Sequence, residues 1–389
     1  MVAFEEYIRC ERVSFRIWRV LGLWATKDET LSYRVFRLSY HFLFTIIYIF
    51  AMVTSCFYAE NIEELWTDIL FILLTMLAMF TKMVVIVRNF EKIYCLLKMT
   101  VSDSFKPQTE IEARILDDNL HVFSNAMLVY LSVTFSCLWA HLGFLFDDRY
   151  KLPFFSWFFW LPLGKGNPLN YYLIFVYQMF GMLGHCLFNA SSDVQLGYLL
   201  LSGGLQLDIL SESFARLPVP TSGKPNEIRY YQKTFQNQVD QYNRICRFIR
   251  EIESTFTLTV FIQLCASGIT ICASVFRLSA ISITDHLGSS IPIFFYLGAM
   301  LIQVFVPCYF GNEVTLKSQK LTNAVFSSGW YNNRQLKDQK NVKLLMQRFN
   351  EPIRLKAGHF FNYNLEAFMS TLNTAYSVYA VLNSKNRKG

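Results

Sequence analysis

The chain has 389 residues, of which 53% are hydrophobic and only 17% charged, with 37 Phe, 21 Tyr and a formal net charge of +7. A water-soluble protein of this length carries about 25% charged residues, so the deficit excludes an ordinary soluble enzyme and points to a bilayer. The six histidines are scattered and the nine cysteines form no CxxC pair, which leaves no metal-ligand pattern and favours cysteines that act as small buried hydrophobes.

At the amino terminus Glu5, Glu6, Arg9, Glu11 and Arg12 leave no room for the apolar core of a signal peptide. Apolar stretches of the ~20 residues needed to cross ~30 Å of hydrocarbon then follow at 38–57, 69–87, 126–146, 171–190, 256–276 and 291–310. A seventh stretch, 363–383, is interrupted by polar residues. The expectation is an all-α, seven-transmembrane helical membrane protein.

Lys and Arg flanking the spans are retained in the cytoplasm, and their distribution sets the threading. Segments 1–34, 88–121, 200–253 and 311–362 hold 27 of the 36 basic residues, whereas 58–65, 147–170, 277–290 and 384–389 hold seven. Arg37 and Lys82 sit near span ends on the amino-terminal side, where they are expected to snorkel. The amino terminus is therefore predicted to be cytoplasmic and the carboxyl terminus extracellular, inverted relative to G-protein-coupled receptors. Asp148-Arg149-Tyr150, in FDDRYK at 146–151, resembles the Asp-Arg-Tyr signature of those receptors, but this threading places Arg149 outside. A seven-helix receptor signalling through G proteins is the alternative. A secondary transporter is disfavoured because no paired broken helices and no acids at the span centres are seen.

Between the spans, 58–68 is a short acidic turn with Glu60, Glu63, Glu64 and Asp68. Segment 147–170 is dense in aromatics and is either an interfacial belt or a lid over an external cavity. The sequon at Asn189–Ser191 falls at the inner end of a span, where glycosylation is not expected. After LPVPTSGKP at 217–225, residues 226–253 lack Pro and Gly and read as a helix running into the fifth span. Phe235, Val239, Tyr242, Cys246 and Ile249 recur on one face of it, so 200–255 is predicted to form cytoplasmic helical extensions that pack together. GKGNP at 164–168 lacks the strand-to-helix setting of a phosphate loop. No enzymatic activity, cofactor or nucleic-acid partner is predicted.

In the last span Ser370, Thr374, Ser377 and Val381 share one helical face with Asn373 beside it, and Phe368, Leu372, Ala375, Tyr379 and Leu382 lie opposite. The polar face either bonds neighbouring helices or forms a wet pore wall narrowed by Val381. The second reading requires oligomerisation about an axis.

FGNEVTLKSQKLTNAVFSSGWYN at 310–332 and LKAGHFFNYNLEAFMSTLNTAYSVYAVL at 355–382 resemble the carboxyl-terminal signatures of the insect odorant receptor family. The resemblance is carried by these two stretches within the roughly 70 residues from 310 to 382; the remainder agrees in length, span number and threading. It implies an odorant-specific subunit that binds a small, volatile, mostly apolar ligand and joins shared co-receptor subunits in a heterotetramer, a non-selective channel for cations in the plasma membrane of sensory neuron dendrites. It further implies three regions: 1–310, the first six helices with an outer ligand-binding bundle; 311–362, a cytoplasmic anchor segment containing Trp330 and Tyr331; and 363–389, a pore-lining helix and external tail. Ser370, Asn373, Thr374, Ser377, Val381 and Lys385 would line the pore. Lys385 departs from the apolar residue of the co-receptor, which fits a subunit working beside co-receptor subunits. At positions where the family places its pocket stand Ile69, Leu73, Ser132, Phe135, Ser136, Trp139, Met179, Phe180, Leu183, Phe295, Tyr296 and Ala299. Each of these is equally compatible with ordinary helix packing.

Overall fold

A computed structural model of the protein describes residues 14–23, 30–59, 65–102, 105–140, 168–220, 224–280, 287–358 and 360–386. After a short helix at 14–20, helix α1 (Leu31–Ser55) starts at Thr30, whose hydroxyl accepts from the Tyr33 amide, and passes through a π-helical turn at Phe42–Ile46. A second π-helical turn, Leu65–Leu70, leads into α2 (Phe71–Arg88). At Asn89 the backbone leaves the helical region and the side-chain amide donates to the Val85 carbonyl, separating α2 from α3 (Phe90–Thr100). Then come α4 (Glu110–Ala140), α5 (Pro168–Ala215), α6 (Pro225–Ala280), α7 (Leu287–Ser327), α8 (Leu336–Phe349) and α9 (Leu365–Asn386). Between α8 and α9 a minimal antiparallel hairpin pairs β1 (Lys356–Ala357) with β2 (Phe361–Asn362).

Among the described residues six helices are long and apolar enough to span a membrane, lying in α1, α2, α4, α5, α6 and α7. Helix α9, with 22 residues, has the ~30 Å length of a span but the mixed composition seen in the sequence. Pro168 and Pro225 open α5 and α6 at first-turn positions, where the missing amide hydrogen costs nothing. At 1.5 Å per residue, α5, α6 and α7 run roughly 60 to 85 Å, about twice the hydrocarbon thickness, so each must continue beyond the membrane.

The continuations meet at one end. Phe214 of α5 packs edge-on to Phe235 of α6 and Phe349 of α8, with Tyr242 4.7 Å from the Phe349 ring. Tyr242, Ile245, Phe248, Ile249 and Ile252 are buried, so the three-and-four spacing in 226–253 does mark an inward face, and the uninterrupted helix into the fifth span is observed. Lys317 of α7 pairs with Asp208 of α5 at 2.6 Å in this region. At the opposite end of the bundle α4 and α6 finish, and α5 and α7 begin.

Helix α9 packs against α6 and α7 through Ile271, Cys272, Met300 and Ala375, with Leu372 and Tyr379 alongside, and through Phe368 edge-on to Phe305. Its first turn is held by a close approach. The segment entering α9 lies so tightly on α7 that a Cβ at Gly311 would collide with Tyr363, including its backbone carbonyl. Gly329, at φ +74°, stops the continuation of α7 in the left-handed region and turns the chain into the 3-10 turn Trp330–Asn332.

The close approach at Gly311 can be tested on detergent-solubilised protein. Gly311→Ala should lower stability by about 1–3 kcal/mol through overpacking, read as a fall in Tm. Gly298→Ala in the same helix, where the new methyl would make only ordinary contact with Val133, should leave Tm unchanged or raised.

Candidate functional site

A cavity of about 100 Å³ lies between α2, α4, α5, α6 and α7, in the half of the bundle remote from the helical continuations. One water needs roughly 10–15 Å³ of such space, so the cavity accommodates a small organic molecule. Phe71, Met76 and Met79 of α2, Cys137 and Leu138 of α4, Met182 of α5, and Ile293, Tyr296 and Met300 of α7 form its apolar walls. Phe71 and Tyr296 meet edge to face with ring centroids 5.3 Å apart. The Tyr296 hydroxyl is fixed by Thr75 at 2.6 Å, and the Arg277 guanidinium lies over the Phe71 ring at 5.8 Å.

The inner wall is polar. Tyr130, Asn189 and Gln303 line the cavity and belong to a buried network centred on Lys82 and Asp193, whose side chains pair at 2.6 Å with 5% and 2% of their surface exposed. The Lys82 ammonium also donates to Asn189 Oδ1 at 2.8 Å, and the Tyr130 hydroxyl donates to Asp193 Oδ2 at 3.0 Å. Gln303 Nε2 donates to Asn189 Oδ1 at 3.3 Å. Pro307, one turn further along α7, has no amide hydrogen to give the Gln303 carbonyl. Gln263 of α6 supplies the missing donor, its Nε2 lying 2.7 Å from that oxygen.

This overturns one expectation: Lys82 does not snorkel but is paired deep in the bundle. Asp193 is not at a span centre but lies beyond residue 190, the end of its apolar stretch, where α5 runs on unbroken and buries it one turn later.

Of the twelve pocket positions named from the sequence, Tyr296 and Ala299 line the cavity. Ile69 and Leu73 are buried but lie outside it, beside the lining Phe71, Ile72, Thr75 and Met76. On α4 the cavity takes Tyr130, Thr134, Cys137 and Leu138, while Ser132 is exposed, Phe135 and Ser136 are half-buried elsewhere, and Trp139 is 67% exposed. On α5 it takes Met182, His185, Cys186 and Asn189; Met179 and Leu183 are half-buried outside it, and Phe180 packs on Phe44 of α1. Phe295 lies beside Phe294, off the cavity. The four helices that carry the named positions all border the cavity, α6 joins them through Ser274 and Arg277, and the rotational phase differs. In a stretch apolar on all sides, one residue of offset turns the face by about 100°. The missed signal was the embedded polar residues, Thr75, Tyr130, Asn189 and Gln303, because polar groups within a span face other helices or water.

On α9, Ser370, Asn373, Thr374 and Ser377 are exposed on one face, opposite the packed Leu372, Ala375 and Tyr379. Thr374 and Ser377 donate their hydroxyls to the Ser370 and Asn373 carbonyls one turn back, each at 2.8 Å. Val381 and Lys385 continue the helix, but their side chains lie outside the described residues, as do FDDRYK and the aromatic segment up to residue 167. Trp330 is buried with the Lys343 ammonium 5.9 Å above its ring, whereas Tyr331 is exposed against Phe326.

The family model described as 7tm Odorant receptor matches residues 61–376. Among curated relatives, Odorant receptor 94a of Drosophila melanogaster is 24% identical over 97% of this chain and 98% of its own. Odorant receptor Or1 of Anopheles gambiae is likewise 24% identical, over 94% and 93%. The solved structure of the insect olfactory receptor OR5 from Machilis hrabei in complex with eugenol superposes with a TM-score of 0.83 over 99% of this chain and 100% of that one, at 17% identity. A second solved structure of the insect olfactory receptor OR5 from Machilis hrabei superposes with a TM-score of 0.81. With its span-bearing helices, its internal cavity and a family match over most of its length, this chain belongs to the seven-transmembrane odorant receptor family.

Proposed function

We propose that the chain is the odorant-specific subunit of a ligand-gated, non-selective cation channel, assembled with co-receptor subunits as a heterotetramer in the plasma membrane of olfactory neuron dendrites. The single observation that carries this reading is that the cavity and the apolar seat of α9, behind its polar face, share a side chain. Met300 lines the cavity and also belongs to the small apolar cluster that seats Ala375, Leu372 and Tyr379 of α9. Tyr296 likewise lines the cavity and packs against that cluster. A molecule that moves these two residues changes the seat of α9 directly.

In this arrangement residues 1–310 provide the ligand-binding bundle, 311–362 the cytoplasmic anchor with Trp330 and Tyr331, and 363–389 the pore helix and outer tail. Ser370, Asn373, Thr374 and Ser377 face the conduction path, and Val381 and Lys385 stand at its outer end. Because their hydroxyls are already bonded within the helix, Thr374 and Ser377 offer lone pairs to passing cations without unsatisfied donors. The charge distribution supports an amino terminus in the cytoplasm, and with that threading the cavity is in the outer half of the bundle, within reach of ligands from outside. Ligand opens the gate to the extent that it binds the open state more tightly.

Three outcomes follow. In cells co-expressing the co-receptor, a volatile panel should evoke currents that persist when G-protein signalling is blocked; currents abolished by that block would refute the channel mechanism. A tag at Gly389 should be accessible in unpermeabilised cells and one at Met1 should not, as immunolabelling would show. Met300→Ala should weaken coupling by about 0.5–2 kcal/mol, read as a rise of roughly 2- to 30-fold in the ligand concentration for half-maximal current, with surface expression retained.

A further inference from the structure

The side-chain amide of Gln303 has one orientation that its neighbours allow. Lys82 can only donate hydrogen bonds, so the Asn189 atom 2.8 Å from its ammonium must be the carbonyl oxygen Oδ1. The Gln303 atom that meets the same oxygen at 3.3 Å must in turn be the amide nitrogen. Its carbonyl oxygen Oε1 is therefore the other atom. That oxygen is buried without a hydrogen-bond partner, on a side chain only 3% exposed that lines the cavity. The charge on Lys82 thus fixes, through Asn189, an unsatisfied acceptor on a side chain that lines an otherwise largely apolar chamber.

A second orphaned atom lies in the same wall. His185 stands one helical turn from Asn189 on α5, lines the cavity and is 7% exposed. Its Nε2 contacts the Thr45 hydroxyl at 3.2 Å, and its Nδ1 is buried without a partner. If Thr45 donates to Nε2, the ring carries its proton on Nδ1 and offers a donor.

We propose that the ligand class of this cavity is the hydroxyl compounds, small alcohols or phenols, whose O–H donates to Gln303 Oε1 and whose carbon skeleton lies against Phe71, Met76, Ile293 and Tyr296. The inference rests on the cavity being the ligand site. A hydroxyl can donate, so it matches the unpartnered acceptor, whereas an ether, ester or ketone can only accept and would face Gln303 Oε1 with a second acceptor. A site whose buried polar atom needs a donor discriminates strongly against the analogue that lacks one.

The test uses three matched probes on the purified full-length chain in detergent: benzyl alcohol, benzyl methyl ether and ethylbenzene, with affinity read from the concentration dependence of Tm. The proposal expects benzyl alcohol to bind at least about tenfold more tightly than the ether, the order given by a single buried hydrogen bond. Gln303→Met should abolish that preference while ethylbenzene binding is retained or improved. Equal binding of all three to the wild-type chain would overturn the hydroxyl assignment and leave the cavity as a ligand site. Binding of ethylbenzene in preference to the alcohol would do the same. If none of the three shifts Tm, while Phe71→Trp, which narrows the cavity, changes nothing either, the cavity itself is not the ligand site and both readings fall. Because the decisive comparison is made on the wild-type chain, a Gln303 variant that fails to fold leaves it intact.

Discussion

The structure is organised by the Lys82–Asp193 ion pair. Each charge, taken alone into a low-dielectric interior, would cost several kcal/mol even after relaxation. Here each is answered by the other at 2.6 Å, and the remaining valences are taken up by Asn189 on the ammonium and Tyr130 on the carboxylate. The pair joins α2 to α5, Tyr130 brings in α4, and Gln303 and Gln263 bring in α7 and α6. These five helices are the five walls of the cavity. Apolar side chains gain little by meeting each other rather than lipid, so they set helix register weakly. The polar contacts, which lose heavily if displaced by one residue, therefore fix how the five helices are rotated and how far each is inserted.

Pro307 extends the same logic to the backbone. A proline inside a helix removes one hydrogen bond and frees the carbonyl one turn earlier, and within a membrane that oxygen must find another donor. The oxygen is that of Gln303, and the donor is Gln263. One residue of α7 is thus held twice, at its main chain by α6 and at its side chain by α5. The polar wall of the cavity is the most constrained part of the span, while the opposite walls of Met76, Met79, Met182 and Met300 are built from unbranched thioethers that repack readily.

Much of the fold was legible because its signals are long. The twenty-residue apolar windows reappear as helices, and the Pro- and Gly-free run at 226–253 and the two-faced pattern of 368–379 reappear with the expected faces turned inward. The site was less legible for two physical reasons. In α2 and α4 apolar residues surround the axis, so composition identifies the helix but not its rotation, and Leu73 or Trp139 looks as eligible as Met76 or Leu138. An ion pair between residues 111 positions apart also leaves no local trace. Lys82 near the end of a window resembles a snorkelling residue, and Asp193 just past another resembles the start of a loop. Only the continuation of α5 into a 48-residue helix brings the carboxylate beside the ammonium.

The contrast between the two kinds of wall bears on what such a cavity can distinguish. Against a wall of flexible thioethers and aromatic rings, one methylene more or less changes binding by only about 1–3 kcal/mol, and the thioethers lower even that by adapting. Shape selection by the apolar side is therefore shallow, and ligands of several skeletons can be admitted. Discrimination must come from the side that cannot adapt, where Gln303 is immobilised by Asn189, Asn189 by Lys82 and Lys82 by Asp193. The same helix carries Met300 to the seat of α9. Under the proposed mechanism, rigid polar contacts that fix a ligand's position in the chamber would also determine which side chains it presses on, so selectivity and coupling to α9 would depend on the same buried charge.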